Sequence, residues 1–163
     1  MDEITASQLA RRIAEHRPAL AKRVAGRLLR AFPELTHTLR LEENYDPAER
    51  MSSVAVQPFG DLVRAILLFN TFEIAETELR WARGVLPRWG VAYEHTTTMI
   101  RWYFEELSQL PLSPAERLVV VEVEQYLLHL IARIYHSNEP NHHLAGESLI
   151  EWGTSARAKP NLQ

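Results

Sequence analysis

The chain has 163 residues, of which 46% are hydrophobic and 24% are charged, and this balance predicts one globular domain rather than a largely disordered chain. The formal net charge is −3, so the sequence lacks the basic excess typical of a nucleic-acid-binding domain. Cysteine is absent, glycine occurs six times and no glycine-rich phosphate loop is present, which excludes disulfides, thiol catalysis and common nucleotide motifs.

Capping signals and prolines divide the beginning of the chain into helices. The capping box Thr5-x-x-Gln8 predicts a first helix that runs to about Glu15. Pro18 fits a first helical position, so a second helix is expected over residues 19–31, where apolar residues form one stripe. The Pro-Glu-Leu segment at residues 33–35 predicts a short extra turn.

The middle of the chain predicts a loop followed by a long helix. Residues 40–46 are polar and indicate a loop. Asp46-Pro47-x-Glu49 combines a capping side chain, an N-terminal proline and an acid in the first turn. The helix that starts there is expected to reach Phe69 and to kink at Pro58, which cannot donate a backbone hydrogen bond.

The second half predicts three more helices. Thr71 is expected to cap the first of these, and Pro87 to stop it. The next covers residues 91–110. Ser113-Pro114-x-Glu116 begins a helix that reaches about Asn138, with apolar residues at intervals of three and four. We find no alternating pattern long enough to predict a strand, so the expected class is all-α.

The sequence becomes polar after this last helix. We predict a helical domain over residues 1–138 and a polar C-terminal tail over 139–163, with a possible short helix at 149–152. The start of the chain is acidic and lacks the apolar run of a signal peptide. The longest apolar stretch has five residues (65–69), whereas a membrane span needs about 20. We therefore expect a soluble cytoplasmic protein that contacts no membrane.

Histidines and hydroxyl residues provide few candidates for catalysis or metal binding. His129 and His136 share one helix face, and His142 and His143 follow, which is compatible with zinc. Exposed histidines explain the same pattern more simply, because no acidic residue lies three or four positions after His129 and the chain has no HExxH motif. Residues 96–98 are threonines beside His95, but helical neighbours point in different directions and do not form a catalytic dyad.

Acidic and basic residues also fit helix surfaces better than active sites. A carboxylate-bridged metal site in a helical bundle pairs Glu with a His three positions on, and the glutamates at 73, 76, 78, 105 and 106 lack that partner. Arginines cluster early, but the first 50 residues hold 8 acids and 9 bases, a local charge of +1. We predict ion pairs there rather than nucleic-acid binding, and no metal site and no enzyme.

Three segments resemble bacterial globins. Residues 27–35, RLLRAFPEL, are similar to the end of the second globin helix with its Pro-Glu-Leu turn. Residues 83–107, with Trp89-Gly90-Val91 and Glu94-His95, resemble the flavohaemoglobin-type segment that follows the proximal helix. Residues 124–135 resemble the last helix. The resemblance spans about residues 4–138 and implies a single globin-like domain of about six to eight helices.

The resemblance also shows which haem-binding groups are replaced. The proximal histidine position falls at Leu86, and no histidine occurs between His37 and His95. The distal tyrosine falls at Ala25, the haem-wedging phenylalanine at Leu39 and the distal polar residue near Val54. Leucine cannot ligate iron. The family pattern therefore implies a non-haem globin with an apolar pocket, or with larger side chains filling it. Its candidate lining residues are Ala25, Leu39, Val54, Pro58, Leu86 and Trp102.

Two functions are compatible with this pattern. The first is a sensor or interaction protein without conventional haem, like the globin-like domains of stress-signalling complexes, which binds a small hydrophobic ligand or none and acts through a separate signalling protein. The resemblance implies a homodimer through the last two long helices, where Trp102, Tyr103 and Tyr135 are candidate contacts. The alternative is a haem protein that binds oxygen or nitric oxide with His95 as an atypical axial ligand. Otherwise, His95 is a helix-start residue facing solvent.

Overall fold

The computed structural model describes residues 1–41 and 46–137. These residues are mainly helical and include no β-strand, which confirms the all-α class and the expected six to eight helices. A π-helical turn, Ser52–Val56, joins α4 to α5 in one continuous helix, Pro47–Phe69, and a 3-10 turn, Leu86–Trp89, follows α6. The α-helices are α1 (Glu3–Glu15), α2 (Arg17–Ala31), α3 (Leu35–Thr38), α4 (Pro47–Met51), α5 (Gln57–Phe69), α6 (Glu73–Val85), α7 (Tyr93–Ser108) and α8 (Pro114–His136).

Two of the predicted helix starts are confirmed by their hydrogen bonds. The Asp46 carboxylate accepts from the Ala48 backbone N–H at 2.9 Å at the start of α4. At the start of α8, Ser113 and Glu116 form a reciprocal capping box. Ser113 Oγ accepts from the Glu116 N–H at 3.1 Å, and the Glu116 carboxylate accepts from the Ser113 N–H at 2.7 Å. Both caps satisfy amides that the helix itself leaves without a partner.

Two other predicted caps are wrong. The cap of α1 is Asp2, whose carboxylate accepts from the Thr5 backbone N–H at 2.9 Å, so the helix starts at Glu3. The Asp2 carboxylate therefore accepts from the Thr5 N–H, which the predicted capping box would have paired with the Gln8 side chain. Thr71 does not cap α6 either, because its hydroxyl donates to the Phe69 carbonyl at 2.9 Å and the helix starts two residues later, at Glu73.

The expected kink at Pro58 takes the form of the π-helical turn that precedes it. Pro58 has no N–H to donate, and in a regular α-helix its ring would approach the carbonyl of Val54, four residues earlier. The wider turn over residues 52–56 changes the pairing at this point. Pro58 then lies in the first turn of α5, where proline is tolerated.

The helices pack around one hydrophobic core. α1 packs on α5 and α8, α2 on α4, the π turn and α7, and α6 and α7 both on α8. At the centre, the ring of Phe59 makes edge-to-face contacts with Tyr103 and Phe104, with centroid distances of 5.1 and 6.2 Å. All three side chains are almost completely buried.

Basic side chains of α1 and α2 form ion pairs with acids on other helices. Arg17 donates through Nε and Nη2 to the two carboxylate oxygens of Asp61, at 2.9 and 2.6 Å. Arg12 Nε donates to Glu116 at 2.8 Å, which ties α1 to the beginning of α8. The early arginine cluster therefore helps to hold helices together.

One segment of the described chain is long and apolar enough to be a candidate membrane span. It is the helix Pro47–Phe69, whose most apolar window has a mean hydropathy of 1.3 and is half buried inside the helical bundle. The predicted tail, its short helix at 149–152 and the boundary at residue 138 lie outside the described residues.

Candidate functional site

An apolar cavity of about 50 Å³ lies between the helix Pro47–Phe69, α3, α6 and the beginning of α7. Its wall combines twelve apolar residues with three polar ones, Glu78, His95 and Thr96. The apolar residues are Leu35, Leu39, Met51, Ala55, Phe59, Leu62, Leu79, Ala82, Leu86, Val91, Met99 and Ile100. Because protein interiors are normally close-packed, a void of this size is a candidate ligand site.

The long central helix supplies one side of this wall. Met51, Ala55, Phe59 and Leu62 follow each other at intervals of four, four and three residues and all line the cavity. The interval from Met51 to Phe59 includes the π turn, which changes the rotation per residue locally. The turn therefore helps to decide which side chains of this helix reach the cavity.

Two buried hydroxyls, one on α7 and one on α8, lie near each other beside the cavity. Thr96 Oγ1 and Tyr135 Oη are inaccessible to solvent, and neither forms a hydrogen bond of normal geometry. Burial raises the pKa of Tyr135, and the nearby Thr96 hydroxyl opposes this rise. The two groups are thus near neighbours, with Thr96 on the cavity wall.

Glu78 is the buried acid of the site. Glu78 is 3% exposed. It lies on the inner face of α6 and lines the cavity beside Leu79 and Ala82. The expectation that this glutamate lies on a solvated face is therefore wrong.

His95 connects the cavity wall to the first turn of α7. The Ala92 backbone N–H donates to Nδ1 at 3.0 Å, so neutral His95 carries its proton on Nε2, which is 3.1 Å from a Glu34 carboxylate oxygen. Its side chain is 11% exposed, and the ring of Phe32 packs edge-on at 4.7 Å. The interpretation of His95 as a solvent-facing residue is wrong. The pKa of Glu34 is lowered, first by its own backbone N–H and then by His95.

The structure places the six candidate pocket residues in two groups. Leu39 and Leu86 lie on the cavity wall. Ala25 is fully buried in α2 but is not part of that wall, and Val54 and Pro58 are half-buried, each one position before a residue that lines it. The remaining candidate, the half-buried Trp102, is not on the wall. Its indole stacks on the Phe32 ring, with 6.5 Å between the ring centroids, and the Arg27 guanidinium lies 4.6 Å above it.

Haem, which the resemblance to globins implies, does not fit the cavity as it is built. About 50 Å³ is far too small for a tetrapyrrole. Leu86 lies on the wall without an electron pair for iron. His95 is the histidine among the described wall residues, and both of its ring nitrogens are engaged, one by Ala92 and one by Glu34.

The other sequence candidates are dispersed in the structure. Within residues 1–41 and 46–137, no group of three His, Asp or Glu side chains could hold a metal ion. His129 and His136 are exposed on α8, and His136 packs against the Tyr93 ring at 5.2 Å. His142 and His143 lie outside the described residues.

A second, polar cleft lies between α7 and α8. It measures about 410 Å³ and is open to solvent. Its charged groups are Arg27 and the glutamates at 105, 106 and 124. Burial and then the charge of Glu105 raise the pKa of Glu124. Arg27 compensates two of these acids, with Nη1 3.0 Å from Glu106 and Nη2 2.7 Å from Glu105.

Sequence analysis missed the functional potential of Thr96 and Glu78. The signal for Thr96 was its helical register, because it shares an inward face with Met99, Ile100 and Tyr103. Glu78 shares the inner face of α6 with Ala75, Leu79 and Ala82 in the same way. A comparison of this chain with protein-family models, curated proteins and solved structures finds no match.

Proposed function

We propose that this chain is a globin-like, non-haem helical protein that binds a small hydrophobic ligand in its internal cavity and passes the signal to a separate partner protein. The observation that carries the proposal is the cavity itself, with twelve apolar residues on its wall. Apolar cavities in proteins stay dry and take up small apolar molecules. The resemblance of three sequence segments to globins, one of which ends at the turn before α3, is the second argument for the proposal.

A ligand in this cavity would contact several helices at once. The wall combines side chains from α3, the helix Pro47–Phe69, α6 and α7, so a ligand adds contacts among elements that are distant in sequence. His95 lies on the wall and also binds Glu34 beside α3. The ligand can therefore change the position of α3 relative to α7. A partner protein can bind to the surface that these two helices form.

Xenon binding tests this proposal, because xenon enters apolar cavities without needing a polar contact. We expect xenon to shift the NMR signals of wall methyl groups such as those of Leu39 and Met99, and Ala82→Val to abolish the shifts by filling the space. Ala19→Val, an exposed substitution in α2, is the matched control. Unchanged methyl signals in the unsubstituted protein would contradict the proposal.

The outer face of α8 supports a second copy of this chain as a partner. Leu118 and Val121 are 73% and 47% exposed there. Together with Gln125, Leu128 and Ala132 they form a stripe with intervals of three, four, three and four residues, which is the spacing of a two-helix seam. We name these five residues the α8 stripe. The expected contact Tyr103 is wrong, because this residue is buried in the core, whereas the half-buried Trp102 and Tyr135 stay predicted contacts.

Polar residues beside the α8 stripe are self-complementary. Antiparallel pairing centred on Gln125 places Glu122 of one copy beside His129 of the other, and the two-fold axis repeats the contact. Both residues are exposed. We expect Leu118→Glu to lower the dimer fraction in sedimentation equilibrium, whereas Ile4→Glu, a control of similar exposure (71%) on α1, should not. A protein that is monomeric throughout the micromolar range would contradict this pairing.

A further inference from the structure

Thr96 differs from the other threonines and serines of its helix in how its hydroxyl is used. Thr97 Oγ1 donates to the Tyr93 carbonyl at 3.0 Å, and Ser108 Oγ donates to the Phe104 carbonyl at 2.7 Å. This bond to the carbonyl four residues earlier is the usual solution for such residues within a helix. Thr96 Oγ1 does not form this hydrogen bond, although the residue is buried, with only 7% of its surface exposed.

A buried hydroxyl without a hydrogen bond costs free energy, and native proteins rarely keep one without a reason. Thr96 lines the cavity, so a molecule in the cavity can supply the missing partner. The neighbouring Tyr135 hydroxyl also lacks a hydrogen bond of normal geometry, but Tyr135 is not on the cavity wall. Thr96 Oγ1 is therefore the hydroxyl that a molecule in the cavity can reach, on a wall that is otherwise mostly apolar.

From this arrangement we infer that the preferred ligand is a small neutral amphiphile, with an apolar body and one hydroxyl or carbonyl oxygen that hydrogen-bonds to Thr96 Oγ1. This inference rests on the proposed function of the cavity. A volume of 50 Å³ holds about four water-sized atoms, by the measure in which one such atom needs roughly 10–15 Å³. A short alcohol or ketone therefore matches the space.

The charge of the ligand follows from the wall. An anion would lose its hydration in this small and mostly apolar space, which is unfavourable by desolvation. A cation would lose its hydration to a wall of twelve apolar residues. A neutral oxygen avoids both costs, and the Thr96 hydroxyl can donate to it or accept from it.

The test compares 1-propanol with xenon in NMR titrations of the full chain and of three variants. Thr96→Val keeps the shape but removes the hydroxyl, and Thr96→Ser keeps the hydroxyl. Thr97→Val is the control, because that hydroxyl is already used by the Tyr93 carbonyl. We expect Thr96→Val to weaken 1-propanol binding about tenfold, the effect of one hydrogen bond, and to leave xenon binding unchanged or tighter. Thr96→Ser should retain most of the 1-propanol affinity.

The outcomes separate this inference from the proposed function. Equal 1-propanol binding by the unsubstituted protein and Thr96→Val, with xenon binding intact, would overturn the inference and leave the apolar cavity function standing. A loss of 1-propanol affinity in Thr97→Val as large as in Thr96→Val would also overturn it. If neither xenon nor 1-propanol shifts the wall methyl signals, the proposed function itself fails and the inference fails with it.

Discussion

The phenol oxygen of Tyr103 lies 2.6 Å from the position that a Cβ atom on Gly60 would occupy. Gly60 is buried in α5, and Tyr103 is buried in α7, so the missing side chain of one residue provides the space for the ring of the other. Glycine normally weakens a helix interior, and here the close approach of α5 and α7 accounts for it.

Gly60→Ala should therefore destabilise the protein despite the better helix propensity of alanine. We expect a loss of about 1–3 kcal/mol in the free energy of unfolding, measured in urea, because the ring of Tyr103 must move within a packed core. Gly26→Ala is the matched control. A Cβ there meets Arg30 Nη1 at an ordinary 3.5 Å, so we expect a gain of about 0.5–1 kcal/mol. If Tyr103→Phe does not relieve the cost of Gly60→Ala, the proposed clash is wrong.

Glu116 should make the stability of the protein depend on acidic pH. Burial by itself would raise the pKa of Glu116, but hydrogen bonds from Ser113 and Arg12 outweigh burial and lower it. A lowered pKa in the folded state contributes stability that is fully present above the unfolded-state pKa and is lost as the pH falls through the folded-state value. We expect Glu116→Gln to flatten the decline of unfolding free energy below about pH 4.

Glu116→Ala should cost more than Glu116→Gln at neutral pH, by about 1–2 kcal/mol, because only glutamine can still accept from the Ser113 N–H. Glu15→Gln, an exposed substitution at the end of α1, is expected to stay within about 0.5 kcal/mol of the unsubstituted protein. A pH profile of Glu116→Gln identical to that of the unsubstituted protein would count against the role of this carboxylate.

Arg27 should be sensitive to replacement by lysine. Its guanidinium bridges Glu105 and Glu106 and also covers the ring of Trp102. Lysine cannot make two parallel contacts and stack at the same time. We expect Arg27→Lys to lower the unfolding free energy by about 1 kcal/mol and to change the Trp102 fluorescence. The exposed Arg30→Lys should change neither, and equal effects from the two variants would contradict this assignment.

The polar residues beside the α8 stripe should control self-association. Glu122→Lys removes the carboxylate that faces His129 of the second copy and should weaken the dimer, whereas adding His129→Glu should restore it by placing an anion beside the new cation. Sedimentation equilibrium at low and high salt measures the effect, which salt should reduce. If the double substitution is as weak as Glu122→Lys alone, antiparallel pairing centred on Gln125 is wrong.

Local chemistry explains which parts of the fold could be predicted from the sequence. The caps at Asp46 and Ser113 depend on bonds between residues two or three positions apart, so the motif contains the whole interaction. The prediction of Thr5 as the cap of α1 was wrong because Asp2, a stronger acceptor one turn earlier, accepts from the Thr5 backbone N–H. Pro58 indicated an irregular helix, but a regular kink and a π turn have the same sequence signal.

The site was harder to predict because it depends on helix rotation. Consecutive helical residues point about 100° apart, so an error of one position moves a residue off the wall. Val54 and Pro58 missed in this way, while Ala55 and Phe59 line the cavity. Leu39 and Leu86 lie at short turns. Leu39 follows the globin-like segment 27–35 and Leu86 lies within the segment 83–107, so the resemblance gave both positions without a register error. The packing of Trp102 depends on Arg27 and Phe32, distant residues that no local pattern identifies.

The hydrogen bond from the Ala92 N–H to His95 Nδ1 fixes the orientation of a cavity-wall side chain relative to the start of α7. Neutral imidazole can accept this bond, but imidazolium has a donor at both nitrogens. Nδ1 therefore accepts from the residue that precedes α7, and Nε2 lies beside Glu34, the residue that precedes α3. One imidazole thus joins the N-terminal ends of two helices that line the cavity, so a change in the position of either end is transmitted to the other through a single side chain.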